Sequence, residues 1–274
     1  MLFYLSKYCL APFRTLAKYS LIITILALLF PAINVQAESK AKIVIILDDL
    51  GYRKTDWQAL TLPTAVTISV LPFTPLSRPL ATQATAQGRE VMLHMPMESL
   101  SAKYLGPAGL TSNMLPDDIT LQMQRSLDEL PQAVGVNNHM GSKLTQQALP
   151  MQAIMQVIKQ RGLFFMDSRT SAQSVAEGVA TKLGVPALRR HIFLDHEPTL
   201  SFMKVQFARL IHRAHEQGTA VAIAHPYPET VAFLNDVLQS DYGAELVPVS
   251  HILPSHETTT DDVSVAVPAQ RAPQ

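Results

Sequence analysis

The sequence KIVIILDDLG, residues 42–51, contains five consecutive apolar residues followed by two adjacent aspartates. The apolar run is short, mostly β-branched and without alternation, which predicts a strand buried on both faces of a parallel sheet. Asp48 and Asp49 then lie at the C-terminal end of that strand, and Gly51 permits a sharp turn after them. Two carboxylates this close repel each other unless a cation or a shared proton stabilises them. The alternative is that one aspartate caps a helix while the other is solvated.

The first 37 residues have the pattern of a secretory signal peptide. Basic residues precede an apolar core of eleven residues, Ser20–Phe30, and Val35-Gln36-Ala37 fits the small-x-small cleavage pattern. A membrane span needs roughly 20 apolar residues, so this core is short for one. We therefore predict cleavage after Ala37 and a periplasmic or secreted protein with no membrane span after cleavage. An uncleaved N-terminal anchor is the alternative, and it leaves the rest of the chain extracytoplasmic as well.

Charge and cysteine content exclude several classes of protein. Without residues 1–37, 19 Lys and Arg stand against 22 Asp and Glu, a formal charge of −3. No nucleic acid partner is expected, because such a chain is not basic enough to follow a phosphate backbone. The single cysteine, Cys9, lies in the signal, so no disulfide framework is available and one hydrophobic core must hold residues 38–253 together as a single domain. Residues 254–274, rich in Thr, Pro, Ala and Asp, are predicted to be a disordered tail.

Between Lys42 and His251, short apolar runs, each predicted as one strand and including LRRHIFLD at residues 188–195, alternate with longer segments at helical spacing. Strands alternating with helices indicate βα units and a parallel sheet. Their number predicts an α/β fold, a distorted or incomplete (β/α) barrel of about seven strands in a single domain. A doubly wound open sheet is the competing architecture, although no G-x-G-x-x-G follows the first strand.

Polar residues end most of the predicted strands. They are Asp48-Asp49, His94, Asn137-Asn138-His139, Asp167, Asp195 and His225. In a parallel barrel these ends open onto one face, where active sites lie. Burying so many ionisable groups without a cation or partners would cost roughly several kcal/mol for each charge. The pattern therefore predicts a divalent metal site of the open, catalytic type, with zinc preferred over manganese, cobalt and iron.

Five motifs together resemble the divergent polysaccharide deacetylases, a branch of the polysaccharide deacetylase superfamily of metal-dependent carbohydrate esterases. They are ILDDLG, REVMLHMPME, GVNNHMGS, FFMDSRTS and VAIAHPYPET, and the resemblance extends over residues 42–251. It implies a distorted (β/α) barrel. In the superfamily's first motif the first aspartate is the general base and the second binds metal, which implies these roles for Asp48 and Asp49.

The second superfamily motif has two metal-binding histidines four positions apart, and this chain departs from it. His94 matches the first histidine, but Glu98 stands in place of the second. Either Glu98 is the third ligand or another residue is. We favour His139, a neutral ligand on the neighbouring strand, which Asn137 and Asn138 could orient.

Two further roles follow from the resemblance. His225, in Ile223-Ala224-His225, matches the histidine that acts as general acid, and Asp167 is expected to orient it. The arginine that orients the base in the superfamily is missing from the NNHMGS motif, and Arg169 is the candidate to replace it.

These observations predict a metal-dependent hydrolase that removes acetyl groups from a cell-envelope or extracellular polysaccharide, with peptidoglycan as the nearest such polymer. The alternative is a non-catalytic glycan- or partner-binding protein that retains the fold and the metal site. The long loop after His94, ESLSAKYLGPAGLTSNMLPDD, is predicted to shape a substrate groove.

Overall fold

The computed structural model describes residues 40–254, so the predicted signal peptide and residues 255–274 of the predicted tail lie outside the described residues. Nine strands are present in the described part: β1 Lys42–Leu50, β2 Thr67–Val70, β3 Val91–Met97, β4 Gly135–Met140, β5 Phe164–Asp167, β6 Ala187–Arg189, β7 Ile192–Phe193, β8 Thr219–Ala224 and β9 Glu245–Leu246. The α-helices there are α1 Ser77–Ala86, α2 Pro116–Glu129, α3 Ala148–Gln160, α4 Ala176–Leu183, α5 Leu200–Gln217 and α6 Pro228–Val237. Short 3-10 helices cover Lys54–Thr61, Leu144–Gln146 and Val249–Ile252. Within residues 40–254, none of the helices has the length and apolar character needed to cross a membrane.

The strands form one parallel sheet in the order β6-β5-β4-β3-β2-β1-β8-β7, and β9 pairs with β1 off this path. β6 and β7 are the two ends of the sheet, so the barrel is open between them. The predicted incomplete (β/α) barrel is therefore confirmed. The stretch LRRHIFLD, predicted as a single strand, instead contributes to β6 and to β7, on opposite edges of the opening.

Alternate residues of the strands pack into two separate layers of the core. In β1, Ile43, Ile45 and Leu47 belong to the large cluster that includes the helices. Val44 and Ile46 belong to a smaller interior cluster that includes residues of β3, β5 and β8. The prediction that this strand is buried on both faces is confirmed. The same alternation decides which polar side chains at the strand ends can face the interior.

A β-bulge in β1 contains the two adjacent aspartates. Three residue steps from Leu47 to Leu50 face two steps from Ile68 to Val70 on β2. Asp49 has a positive φ of 62°, which departs from a regular strand. Adjacent residues of a regular strand point to opposite faces, whereas a bulge re-aims a side chain, a device common beside active sites. The bulge therefore lets both carboxylates serve one site.

Candidate metal and catalytic site

Three side chains from the ends of β1, β3 and β4 converge on one point. Oδ1 of Asp49 lies 3.0 Å from Nε2 of His94 and 2.7 Å from Nδ1 of His139. One ligand atom from each residue lies within 4.8 Å of the others. A carboxylate oxygen with two imidazole nitrogens is a donor set that suits zinc and leaves a coordination position open. The residues present therefore fit a catalytic metal, and they are the three predicted as ligands.

The protonation of His94 follows from its contact with Asn137. The side-chain N–H of Asn137 donates to Oδ1 of Asp48 at 2.8 Å, which leaves Oδ1 of the amide as an acceptor. That oxygen lies 2.7 Å from Nδ1 of His94, so Nδ1 carries the proton. Nε2 faces Oδ1 of Asp49 at 3.0 Å, and it is the ring nitrogen available to a metal. A metal-binding histidine usually has its other ring nitrogen fixed in this way.

Asp48 is positioned to accept a proton beside the candidate metal ligands. The residue is only 3% exposed, and burial raises the pKa of its carboxyl, as does the charge of Asp49, while His94 lowers it. Oδ1 is held by Asn137, whereas Oδ2 lies 3.8 Å from Nε2 of His94. The oxygen nearest the ligand cluster is therefore available as a base.

His225 is held by the carboxylate of Asp195. Nδ1 of His225 donates to Oδ1 of Asp195 at 2.9 Å, and the backbone N–H of His225 donates to Oδ2 at 2.7 Å. The Thr230 hydroxyl also donates to Oδ2. Burial lowers the pKa of His225, but the hydrogen bond and charge of Asp195, with the charges of Asp49 and Asp48, raise it to about 9. Nε2, 3.9 Å from Oδ2 of Asp49, is thus protonated at neutral pH and faces the site.

The expectation that Asp167 orients His225 is wrong. Oδ1 of Asp167 accepts the backbone N–H of Arg169 at 2.8 Å, and Oδ2 accepts the Ser174 hydroxyl at 2.7 Å. The physical reason is strand alternation, because Phe165, two residues earlier, packs in the helix-side layer. Asp167 stabilises the loop after β5 instead.

The pairing of β7 with β8 explains why Asp195 is the partner. Phe193 lies opposite Ile223, and Asp195 and His225 each stand two residues further along. Because the period of a strand is two, these side chains emerge on the same face as the interior residues Phe193 and Ile223. The sequence shows Asp195 at the end of an apolar run, but it does not show that this strand pairs with the strand that ends at His225.

Arg169 is engaged within its own loop, and a second arginine, Arg190, packs against the same loop. The Arg169 guanidinium lies 3.4 Å from the carbonyl oxygens of Ser174 and Ala172, within its own loop. Arg190 donates to the carbonyls of Ser168 and Arg169, and burial lowers its pKa to about 10 despite the opposing charges of Asp167 and Asp48. Within residues 40–254, neither arginine forms a hydrogen bond or an ion pair with Asp48, so the expectation that Arg169 orients the base is not supported by a contact. Sequence reasoning missed this residue because it lies between two strands that were predicted as one.

Glu98 is engaged away from the ligand cluster. Its Oε1 pairs with Nζ of Lys143 at 2.7 Å, and its Oε2 accepts the backbone N–H of Ser112 at 2.7 Å. Burial raises the pKa of Glu98, but these partners lower it to about 2. The backbone N–H of Glu98 also donates to the carbonyl of Leu110. Glu98 thus ties the long β3–α2 loop to the loop after β4.

Neither asparagine orients His139 as expected. Asn137 contacts His94 and Asp48, as described above. Asn138 accepts the backbone N–H of Ser168 through Oδ1 and donates to the carbonyl of Met140 through Nδ2. Asn138 therefore joins the ends of β4 and β5, and the expectation for both residues is corrected.

Two neighbouring cavities lie beside the ligand cluster. The first, about 310 Å³, is lined by Asp49, Arg53, His225, Tyr227 and others. The second, about 250 Å³, is lined by residues 104–107 of the β3–α2 loop with Pro72 and Pro96. Tyr52, Leu71 and His139 line both. The β3–α2 loop was predicted to shape a substrate groove, and its position on the wall of the second cavity agrees with that prediction.

Comparison with known proteins places the chain in a family. The model of the divergent polysaccharide deacetylase family matches residues 45–253, and the chain belongs to this family. It is 36% identical to the uncharacterized protein YibQ of Escherichia coli over 236 residues, 85% of this chain and 74% of that protein. An uncharacterized protein of Haemophilus influenzae is also 36% identical, over 74% of this chain and 72% of that protein.

A solved structure supports the fold. Uncharacterized protein ATU2773 of Agrobacterium tumefaciens has a TM-score of 0.75 at 24% identity, with 78% of this chain and 90% of that chain covered. At this identity the likeness concerns the fold alone.

Proposed function

We propose that this protein is a metal-dependent hydrolase that removes acetyl groups from a polysaccharide of the cell envelope. The observation that carries the proposal is the convergence of Asp49, His94 and His139, with a buried carboxylate and a protonated histidine beside them. Family membership supports the same chemistry. The N-terminal sequence pattern supports a periplasmic or secreted location, where peptidoglycan is the nearest acetylated polymer.

Asp49, His94 and His139 would hold the metal, for which zinc is our proposal. When bound, a divalent ion supplies Lewis-acid activation of water and of the acetyl carbonyl. Oδ2 of Asp48 takes the proton of the attacking water, and Asn137 keeps Oδ1 turned away for this purpose. Nε2 of His225 donates its proton to the leaving amine or alkoxide, and Asp195 holds the ring in place through Nδ1.

The test is acetate release by the zinc-loaded protein from N- and O-acetylated cell-wall glycans, with and without a chelator. Release that stops with the chelator and returns with zinc is the expected result. Stoichiometric metal binding and glycan binding without acetate release would instead support the alternative, a non-catalytic binding protein. Acetate release that persists in the metal-free protein would overturn the proposed mechanism.

A further inference from the structure

Arg53 lies on a rigid loop four residues after the metal ligand Asp49. The backbone N–H groups of Gly51 and Arg53 both donate to Oδ2 of the fully buried Asp56, at 2.8 and 2.9 Å. A Cβ at Gly51, whose φ is +134°, would lie 2.1 Å from Oγ1 of Thr74, so the loop is packed closely against its neighbour. The backbone of Arg53 therefore has a fixed position relative to the site.

Arg53 is an exposed residue on the lining of the cavity that contains the site. It lines the cavity of about 310 Å³ together with Asp49, His139 and His225. Among residues 40–254, no carboxylate oxygen forms a salt bridge with Arg53 within 4.0 Å. Its charge also reaches Tyr227 in the same cavity, where it opposes the rise in pKa that burial causes.

An arginine without a carboxylate partner on the lining of a ligand cavity can bind an anionic group of the ligand. Its planar guanidinium matches a carboxylate with two parallel N–H donors, a geometry that a neutral hydroxyl cannot use fully. Asp49, the acidic residue lining the same cavity, is assigned to the metal, which would offset its charge. A cavity of about 310 Å³ is at the small end of ligand sites, with room for a single ring and its substituents.

We infer that Arg53 binds a carboxylate on the glycan, so that the preferred substrate is an acidic acetylated sugar, such as one with a lactyl ether or a uronic acid. This inference rests on the proposed deacetylase function. A neutral acetylated glycan would lack the group that Arg53 recognises.

The test uses one disaccharide in two forms, N-acetylglucosaminyl-N-acetylmuramic acid and the same molecule with its carboxyl reduced to an alcohol. The kcat/KM for acetate release is measured for wild type and for Arg53→Gln, with Lys54→Gln as the matched control. Lys54 is the exposed neighbour and does not line the cavity. Wild type and Lys54→Gln should prefer the carboxylate form by about tenfold or more, as expected for a charge-assisted hydrogen bond. In Arg53→Gln the preference should fall to near one.

Two results overturn the inference: equal kcat/KM for the two forms in wild type, or a preference that survives in Arg53→Gln. Absence of acetate release from every glycan by the zinc-loaded protein is a failure of the proposed function instead. In that case the affinities of the two disaccharides are compared by calorimetry. Tighter binding of the carboxylate form that depends on Arg53 supports the recognition, and equal binding contradicts it.

Discussion

Asn137 donates its side-chain N–H to Oδ1 of Asp48 at 2.8 Å, and through the same amide it accepts the Nδ1–H of His94 at 2.7 Å. Because this fully buried amide occupies Oδ1 of Asp48 and Nδ1 of His94, it leaves Oδ2 of the proposed base and Nε2 of the proposed ligand available to the site. Its two hydrogen-bonding roles can be separated by substitution.

We expect Asn137→Asp to keep the metal and lose most of the activity. The carboxylate retains an acceptor for His94 but cannot donate to Asp48 unless it is protonated, and two adjacent carboxylates raise each other's pKa. Less Asp48 is then ionised at neutral pH, and kcat should fall by about tenfold or more. Metal analysis and the pH dependence of kcat measure the two effects, and the acidic limb should move to higher pH. Unchanged kcat at neutral pH would show that the amide does not control Asp48.

His139→Ala should lower metal affinity at least about tenfold, because loss of a direct ligand must cost at least as much as loss of an outer partner. Glu98→Ala is the matched comparison, since Glu98 occupies the position of the superfamily's second histidine but pairs with Lys143 and Ser112. That variant should keep its metal and become more sensitive to proteolysis within the β3–α2 loop. Titration with zinc and limited proteolysis provide the readouts. A metal-free Glu98→Ala variant would show that our choice of ligand is wrong.

The His225–Asp195 pair should stabilise the metal-free protein at neutral pH, and this stabilisation should be lost at alkaline pH. The pKa of His225 is raised to about 9 in the folded state, above the ordinary value of 6.5. Its contribution is therefore complete below about pH 6.5 and is lost as pH rises through about 9, with a magnitude of about 1 to 3 kcal/mol. Denaturant unfolding of the metal-free protein at pH 6 and pH 9.5 measures this loss.

Asp195→Asn should reduce this pH dependence, because the amide carries no charge to stabilise the imidazolium. Asp167→Asn is the matched control, since Asp167 contacts the loop after β5 rather than His225. Asp167→Asn should lower the free energy of unfolding at both pH 6 and pH 9.5. The difference between the two values should stay close to that of wild type. A larger effect of Asp167→Asn on that difference would restore our original sequence-based expectation.

The fold and most of the site could be predicted from the sequence because both depend on local pattern. The unbroken run of Ile43–Leu47 indicated a strand buried on both faces, and its polar end indicated the site. Asp49, His94 and His139 each end a predicted strand, and the resemblance to the family is what proposed them as metal ligands.

The incorrect predictions depend on which strands pair and in what register, and a single sequence does not show either. Asp167 and Asp195 look alike as strand-end aspartates, and only the register of β7 against β8 places Asp195 beside His225. Arg190 was hidden because the two short strands around it were predicted as one strand. The bulge at Asp48-Asp49 depends on the register against β2, which no single strand reveals.

The N-terminal pattern predicts export. The mature protein isolated from the envelope fraction should begin at or near Glu38, which N-terminal sequencing can establish. A retained Met1 would show that residues 1–37 act as an anchor instead.

The central claim is that a metal at Asp49 and a base at Asp48 together hydrolyse the acetyl group. The most direct measurement is zinc content and acetate release, determined on the same preparations of wild type, Asp48→Asn and Asp49→Asn. Asp48→Asn should contain zinc like wild type and lose about 10² to 10⁴ in kcat, the range for a positioned base. Asp49→Asn should lose both zinc and activity. Full zinc occupancy in Asp49→Asn, or wild-type turnover in Asp48→Asn, would contradict the account.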